Sequence, residues 1–111
     1  MTTKADLRVL MLAHLRVIRA GETPAAEIAS LADLYIDGGR GLLMEEGLCW
    51  WEADSIPEAV SVPLAHYCAG LASVTFGKGG KGYEAQGAAA KIAIAGLKSG
   101  EDRETLRAEY F

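Results

Sequence analysis

The segment from Gly77 to Gly82 has the composition closest to a known ligand-binding motif. It reads Gly-Lys-Gly-Gly-Lys-Gly. A phosphate-binding P-loop needs GxxxxGK followed by Ser or Thr, between a strand and a helix. Here Lys81 is followed by Gly82, and the preceding segment has a helical pattern, so we expect a flexible connection and no bound nucleotide cofactor. A second interpretation is that Lys78 and Lys81 contact DNA or an acidic neighbouring protein through their charge.

Two histidines and two cysteines are the strongest soft-metal ligands and nucleophiles in the sequence: His14, Cys49, His66 and Cys68. His66 and Cys68 are two positions apart, so on a helix their side chains point to different sides. A zinc site needs better-matched spacing, and a Cys–His nucleophile needs a third group that orients the base. We therefore expect structural roles for all four residues, with no metal site and no catalytic residue.

A pair of adjacent tryptophans, Trp50 and Trp51, lies within an acidic stretch of the sequence. The acidic residues around it are Glu45, Glu46, Glu52, Asp54 and Glu58. Paired carboxylates can perform acid-base catalysis, but such clusters are more often a solvated rim or a charged interface. Two adjacent rings in a short connection cannot both face one small core. We expect one ring to pack inward and the other to lie at a protein contact, where tryptophan is enriched.

Four helices are predicted to position these residues, because apolar side chains recur at helical spacing in four segments. The expected ranges are Lys4 to Arg19, Thr23 to Glu46, Pro57 to Thr75, and Tyr83 to Leu97. Thr3 is the expected N-cap of the first helix, and Thr23 that of the second. Asp54 or Ser55 is expected to cap the third helix.

Glycine and proline disturb this helical pattern at two places. Gly38, Gly39 and Gly41 each reduce helix stability by about 1 kcal/mol relative to alanine. Either the second helix breaks near Asp37, or another backbone packs closely against these glycines. Pro63 is expected to kink the third helix or to delay its regular hydrogen bonding.

The composition predicts one globular domain. The 111 residues fit a single small domain, and a hydrophobic fraction of 50% argues against disorder. A net charge of -4 argues against a protein whose main affinity is for phosphate backbones. The cysteines form no CxxC pattern, so we expect a reducing compartment, and the N-terminus has no signal-peptide pattern. The apolar stretch from Ile56 to Phe76 contains Glu58, Pro63 and His66, which argues against a membrane span.

We therefore expect an all-α protein: a small four-helix bundle over residues 1–100 with an extended C-terminal arm over residues 101–111. The arm shows no helical stripe and ends in Tyr110-Phe111, which would leave aromatic surface exposed. Either the arm folds back on its own helices, or it docks on another subunit or a different protein, for instance at a sheet edge.

Short motifs follow one another along nearly the whole chain. They are Gly21-Glu22-Thr23-Pro24, Glu46-Gly47-Leu48-Cys49-Trp50-Trp51, Ile56-Pro57-Glu58-Ala59, Pro63-Leu64-Ala65, Phe76-Gly77, Tyr83-Glu84-Ala85 and Arg107-Ala108-Glu109-Tyr110-Phe111. In this order and spacing the chain resembles the head-to-tail adaptor proteins of tailed phages, also called head completion or packaged-DNA stabilisation proteins. The glycines at 38–41 and the Gly-Lys loop depart from the pattern of typical members.

The resemblance implies a structural virion protein of the neck, not an enzyme, assembled in the cytoplasm of the host bacterium. It implies a homo-oligomeric ring of about twelve copies that joins the portal protein to tail or nozzle proteins. Double-stranded DNA would pass through the ring, which would help to retain it. The resemblance assigns portal binding to the C-terminal arm: Thr105, Leu106, Arg107, Ala108, Glu109, Tyr110 and Phe111.

Other functions stay open at this point. The third and fourth helices could form the helix-turn-helix of a small DNA-binding regulatory protein. That motif needs a short turn and a recognition helix with polar side chains, and the fourth helix offers mainly Gln86 and Lys91. Another neck or tail-completion protein, such as a stopper, is a closer alternative, although stoppers are usually strand-rich. No residue pattern supports a small enzyme or a toxin–antitoxin component.

Overall fold

The computed structural model describes the backbone of residues 1–110 and the side chains of residues 1–100. It contains four helices: α1 (Lys4–His14), α2 (Ala26–Glu45), α3 (Glu58–Ala72) and α4 (Tyr83–Tyr110). Within the described range, extended pairing is limited to two isolated bridges. The protein is therefore all-α, and the predicted fold class is confirmed.

The central helix of the bundle is α3. It packs against α1, α2 and α4, and among the described helices it is the one whose backbone lies close to that of α4. Its buried side chains lie on more than one face, as expected for a central helix, and include Val60, Leu64, Tyr67 and Cys68. The apolar stretch seen in the sequence is thus the interior helix of the bundle. None of the helices in the described part of the chain combines the length and the apolar character needed to cross a membrane.

The N-terminus of α1 is capped as predicted and receives a second, unexpected cap. Thr3 Oγ1 accepts a hydrogen bond from the Asp6 amide at 3.2 Å, and Asp6 Oδ2 accepts one from the Thr3 amide at 3.1 Å. Asp54 was expected to cap α3, but its Oδ1 accepts a hydrogen bond from the Lys4 amide at 2.8 Å. The N-cap of α3 is Pro57, with no side-chain hydrogen bond. Asp54 therefore ties the α2–α3 connection to α1.

The C-terminus of α1 comes earlier than predicted. The helix ends at His14 instead of Arg19, because Arg16 adopts a left-handed φ of 60°. The Arg16 amide donates to the Ala13 carbonyl at 3.0 Å, and the next amide donates five residues back at 3.0 Å. These two bonds form a Schellman C-cap, in which the left-handed residue is usually glycine.

Two other helix boundaries also differ from the prediction. The N-cap of α2 is Ala25, which makes no side-chain hydrogen bond, so Thr23 does not cap this helix. The third helix ends at Ala72, before the predicted Thr75, and Pro63 lies inside one continuous helix. These positions shift by only a few residues, so the order of the elements is unchanged.

The glycines of α2 do not break the helix, which is continuous from Ala26 to Glu45. A Cβ atom at Gly39 would lie 3.2 Å from Cys68 Sγ, a side-chain neighbour and not a backbone. A Cβ atom at Gly38 or Gly41 would meet no atom of the described residues within 4 Å. The predicted break is therefore wrong, and no backbone of the described residues packs against Gly38 or Gly41, so a close contact with the backbone of another molecule stays a prediction.

Close backbone packing occurs instead where α3 and α4 cross. A Cβ atom at Gly70 would lie 2.9 Å from the Tyr83 carbonyl oxygen and 3.2 Å from the Gly87 Cα. A Cβ atom at Gly87 would lie 3.4 Å from the His66 carbonyl oxygen. The absence of side chains at these two positions lets the two helix backbones approach each other.

Helix α4 is longer than predicted. The sequence predicts an end near Leu97 and an extended arm over residues 101–111, whereas the backbone is helical to Tyr110. The residues after Gly100 include no proline and are mostly Glu, Arg, Leu and Ala, which favour a helix, and one internal glycine costs only about 1 kcal/mol. The side chains of residues 101–111 lie outside the described part of the chain, so the docking of the arm stays a prediction.

Candidate functional site

The Gly-Lys loop has a defined backbone path between α3 and α4. Gly77, Gly80 and Gly82 have φ values of 72°, 77° and 89°, which glycine adopts readily and other residues rarely do. The Lys78 amide donates to the Ser73 carbonyl at 2.7 Å, which ties the loop to the end of α3. The glycines therefore turn the chain so that its lysines return toward the bundle.

The two loop lysines meet an arginine from the end of α1 in a pocket of about 560 Å³. Its lining residues are Ala13, His14, Arg16, Lys78, Lys81, Tyr83 and Gln86, and we call this site the basic pocket. Within the part of the chain whose side chains are described, Arg16, Lys78 and Lys81 form no ion pair. Three unpaired cations give the pocket a positive potential although the chain carries a net charge of -4.

Polar contacts join the two helices that form the walls of the basic pocket. The Tyr83 hydroxyl donates to the His14 carbonyl oxygen at 3.1 Å. His14 Nε2 and Gln86 Oε1 lie 2.9 Å apart and share a hydrogen bond. These contacts hold the end of α1 against the first turn of α4, and they fix the shape of the pocket between them.

The two histidines contact each other and do not assemble a metal site. The His14 and His66 rings stack with their centroids 4.0 Å apart and an angle of 20° between their planes. Burial lowers the pKa of His66, and repulsion from His14 lowers it further. Among the residues with described side chains, no three of His, Cys, Asp and Glu gather in a way that could hold a metal ion.

Both cysteines have local structural contacts. Cys68 is buried in the core, and burial raises the pKa of its thiol to about 12, so the reactive thiolate is disfavoured. Cys49 is partly buried, and its Sγ donates to the Trp51 carbonyl oxygen at 3.6 Å. In the described structure, Cys68 packs in the core and Cys49 binds a backbone carbonyl, so the contacts of both thiols are structural.

The tryptophan pair divides between the core and the surface. Trp51 is 5% exposed, while Trp50 is partly exposed, and their rings meet edge to face with centroids 5.0 Å apart. Arg40 Nη2 donates to the Trp51 carbonyl oxygen at 2.9 Å, which anchors the connection to α2. One ring thus points inward and one lies at the surface, and the protein contact at Trp50 stays a prediction.

Three of the acidic residues near the tryptophans contact different parts of the bundle. Glu46 Oε1 lies 2.6 Å from Lys91 Nζ, and Glu58 Oε1 lies 3.1 Å from the amino group of Met1. Asp54 caps α1, as described above. These carboxylates bind different parts of the bundle, so their contacts are structural.

The outward face of α2 is apolar and contains two helical glycines that no described residue of the chain covers. Leu34 is 66% exposed, Leu42 is 48% exposed and Met44 is 52% exposed. Gly38 and Gly41 lie four and seven positions after Leu34, on the same side of the helix. We call these five residues the α2 outward face.

The outward face of α4 is slim and carries one large apolar side chain. Ile92 is 74% exposed. Exposed small residues surround it at helical spacing: Ala85, Ala88, Ala89 and Gly96. We call these five residues the α4 outward face. Both outward faces are apolar surface that the described part of the chain leaves uncovered.

Comparison with known protein families, curated proteins and solved structures finds no match for this chain. The resemblance to head-to-tail adaptors therefore depends on the order of the short motifs alone. Of the residues predicted to make contacts, the structure brings Lys78 and Lys81 together in the basic pocket and leaves Trp50 at a separate surface. Arg16 has no signal in the sequence, because it lies within the apolar pattern of the predicted first helix.

Proposed function

We propose that this chain is a structural assembly subunit that forms a ring, and that the ring is the head-to-tail adaptor of a tailed phage. In this role it joins the portal protein to the tail and helps to retain packaged DNA. The observation that carries the assembly role is the α2 outward face. The adaptor assignment is supported by the order of motifs along the chain and by the all-α fold.

The two glycines of the α2 outward face disfavour the monomer and favour a close contact. Gly38 and Gly41 each reduce helix stability by about 1 kcal/mol relative to alanine. Within the described structure they have no neighbour within 4 Å of a Cβ position. Glycine inside a helix is used where another backbone approaches closely, and exposed apolar patches mark protein contacts. A neighbouring subunit would supply both the missing backbone and the cover for Leu34 and Leu42.

The α4 outward face is a suitable partner surface for the α2 outward face. Its alanines allow close approach, and Ile92 projects from them at 74% exposure. The two faces differ, so a contact between α2 of one copy and α4 of the next is heterologous. Heterologous contacts build a closed ring when the rotation between copies divides a full turn.

The alternative functions fit the structure less well. A helix-turn-helix has a turn of about three to four residues, whereas residues 73–82 separate α3 from α4. The α4 outward face also offers alanine and isoleucine in place of the polar side chains that read bases. Another neck or tail-completion protein would use the same two faces. Only the identity of the partner protein would distinguish it from an adaptor.

The test is electron microscopy of the purified protein with and without the portal protein of the same genome, together with sedimentation. We expect rings of the wild-type protein on the portal. Gly41→Leu should fold, because nothing lies within 4 Å of the new side chain's Cβ, but it should not form rings. Ala5→Leu, at an exposed site on α1, is the matched control and should assemble normally.

Two outcomes would contradict the proposal. Rings of Gly41→Leu that match the wild type would remove the α2 outward face as a subunit contact. A wild-type monomer that ignores the portal but binds one duplex sequence in a salt-sensitive manner would favour the regulatory alternative.

A further inference from the structure

We infer that the basic pocket is a binding site for a phosphate group, held by Arg16, Lys78 and Lys81. This inference goes beyond the ring role and does not depend on it. Inorganic phosphate and the phosphodiester of a nucleic acid present the same oxyanion chemistry, so the site is assigned to that chemistry and the experiment separates the two sources.

The arrangement of charges at the basic pocket favours a bound anion. Three cations elsewhere in the described structure pair with carboxylates: Lys4 with Asp37 at 2.7 Å, Arg8 with Asp33 at 2.8 Å and Lys91 with Glu46 at 2.6 Å. Among the residues whose side chains are described, no acidic side chain lines the basic pocket. Like charges that converge without a counter-charge repel each other, and a bound anion removes that repulsion.

The backbone conformation of Arg16 places a guanidinium at the pocket. Arg16 is the only non-glycine residue with a positive φ within residues 1–110. It occupies the left-handed position of the Schellman C-cap, where glycine would be less strained. The chain nevertheless places a guanidinium there, at the edge of the pocket. A planar guanidinium can donate two parallel hydrogen bonds to a phosphate, which a lysine cannot do.

The loop positions its two lysines at the pocket, and the volume of the pocket suits a phosphate group. Lys78 is partly buried, and its backbone N–H donates a hydrogen bond to the Ser73 carbonyl oxygen. Lys81 lies between two glycines with positive φ. The acidic residue of the first turn of α4, Glu84, accepts a hydrogen bond from the Ser73 hydroxyl at 3.1 Å and does not line the pocket. A volume of about 560 Å³ lies within the usual range of small-molecule sites and admits a phosphate with its attached sugar.

The test is a titration of the full-length protein at low salt by isothermal calorimetry and by NMR. The probes are inorganic phosphate, a short DNA duplex and an acidic hexapeptide. We expect phosphate to bind, with Arg16→Gly weakening binding about tenfold through the loss of a bidentate contact. Arg16→Gly should unfold at the same or a higher temperature than the wild type, because it relieves the left-handed strain. Arg19→Gly, three residues away and outside the pocket, is the matched control.

Each outcome decides the inference. Binding of phosphate and duplex, both weakened by Arg16→Gly and not by Arg19→Gly, supports it with a nucleic-acid phosphodiester as the source. Binding of phosphate alone, with the same sensitivity, supports it with free phosphate as the source. No binding of either probe, or equal effects of the two substitutions, overturns it. Tighter binding of the acidic peptide than of phosphate also overturns it, in favour of a protein partner. Ring formation is measured in a separate experiment, so the phosphate site and the ring can each fail its test without affecting the test of the other.

Discussion

A single methyl group at Gly70 tests how closely α3 and α4 pack. In Gly70→Ala the new Cβ would lie 2.9 Å from the Tyr83 carbonyl oxygen and 3.2 Å from the Gly87 Cα. Both neighbours are backbone atoms, so the contact is relieved only if α4 shifts away from α3. That shift loosens the packing that buries Ala90 and Ile94.

The expected loss follows from two opposing contributions. Forcing an additional carbon into a packed contact costs about 1–3 kcal/mol. Replacing a helical glycine by alanine contributes about 1 kcal/mol in the other direction. Because the 2.9 Å contact at Gly70 is with backbone, we place the overpacking cost in the upper half of its range. The net destabilisation is then about 1–2 kcal/mol, which lowers the midpoint of thermal unfolding by roughly 4–8 °C for a domain of this size.

The assay is urea and thermal unfolding followed by circular dichroism. Gly96→Ala is the matched control, since it makes the same change in α4 where a Cβ meets nothing within 4 Å. We expect this control to be more stable than the wild type by about 0.5–1 kcal/mol. If Gly70→Ala is as stable as Gly96→Ala, the close crossing of α3 and α4 is refuted.

Three further predictions concern protonation, an ion pair and a thiol. The pKa of His66 is lowered from 6.5, so the stability that its neutral ring contributes is fully present above pH 6.5 and is lost as the pH falls through the lowered pKa. In urea unfolding from pH 7 to pH 5, His66→Gln should therefore lose less stability than the wild type, and an equal loss would contradict this. Arg8 donates two hydrogen bonds of 2.8 Å to the Asp33 carboxylate, so a double-mutant cycle with Arg8→Met and Asp33→Asn should give a coupling energy of about 1 kcal/mol, and a value near zero would exclude a stabilising pair. Because burial raises the pKa of Cys68 to about 12, its thiol in a Cys49→Ser background should react with Ellman's reagent only as fast as the protein unfolds, and rapid reaction of the folded protein would contradict its burial.

The sequence predicts the number, order and approximate position of the helices because their apolar periodicity is a local signal. The predicted Thr3 N-cap of α1 is a local signal too, and it is confirmed, with Asp6 completing a capping box. The early end of α1 is not predicted, since Arg16 is a good helix former and the apolar spacing continues to Ile18, which is buried outside the helix. A left-handed turn at an arginine depends on the tertiary structure around it.

The candidate sites show the same limit. The sequence indicates Lys78 and Lys81 as residues with binding chemistry, but their association with Arg16 arises only when the loop returns to α1. The sequence indicates the glycines of α2 as unusual for a helix because they are clustered. Gly70 and Gly87 are isolated glycines with no distinguishing local pattern, and their close contact is set by the crossing of two helices.

The two pairs of helical glycines, compared with each other, support an assembly role. Gly70 and Gly87 lower the helix propensity of α3 and α4, and in return the two backbones approach within van der Waals contact. Gly38 and Gly41 lower the propensity of α2 by a similar amount, but the described structure contains no backbone that uses the space. Exposed leucines flank them, and exposed leucine beside bare backbone is unfavourable in a subunit that stays alone. Under the proposed function, the contact that compensates for these residues would come from a second molecule, as a ring subunit requires.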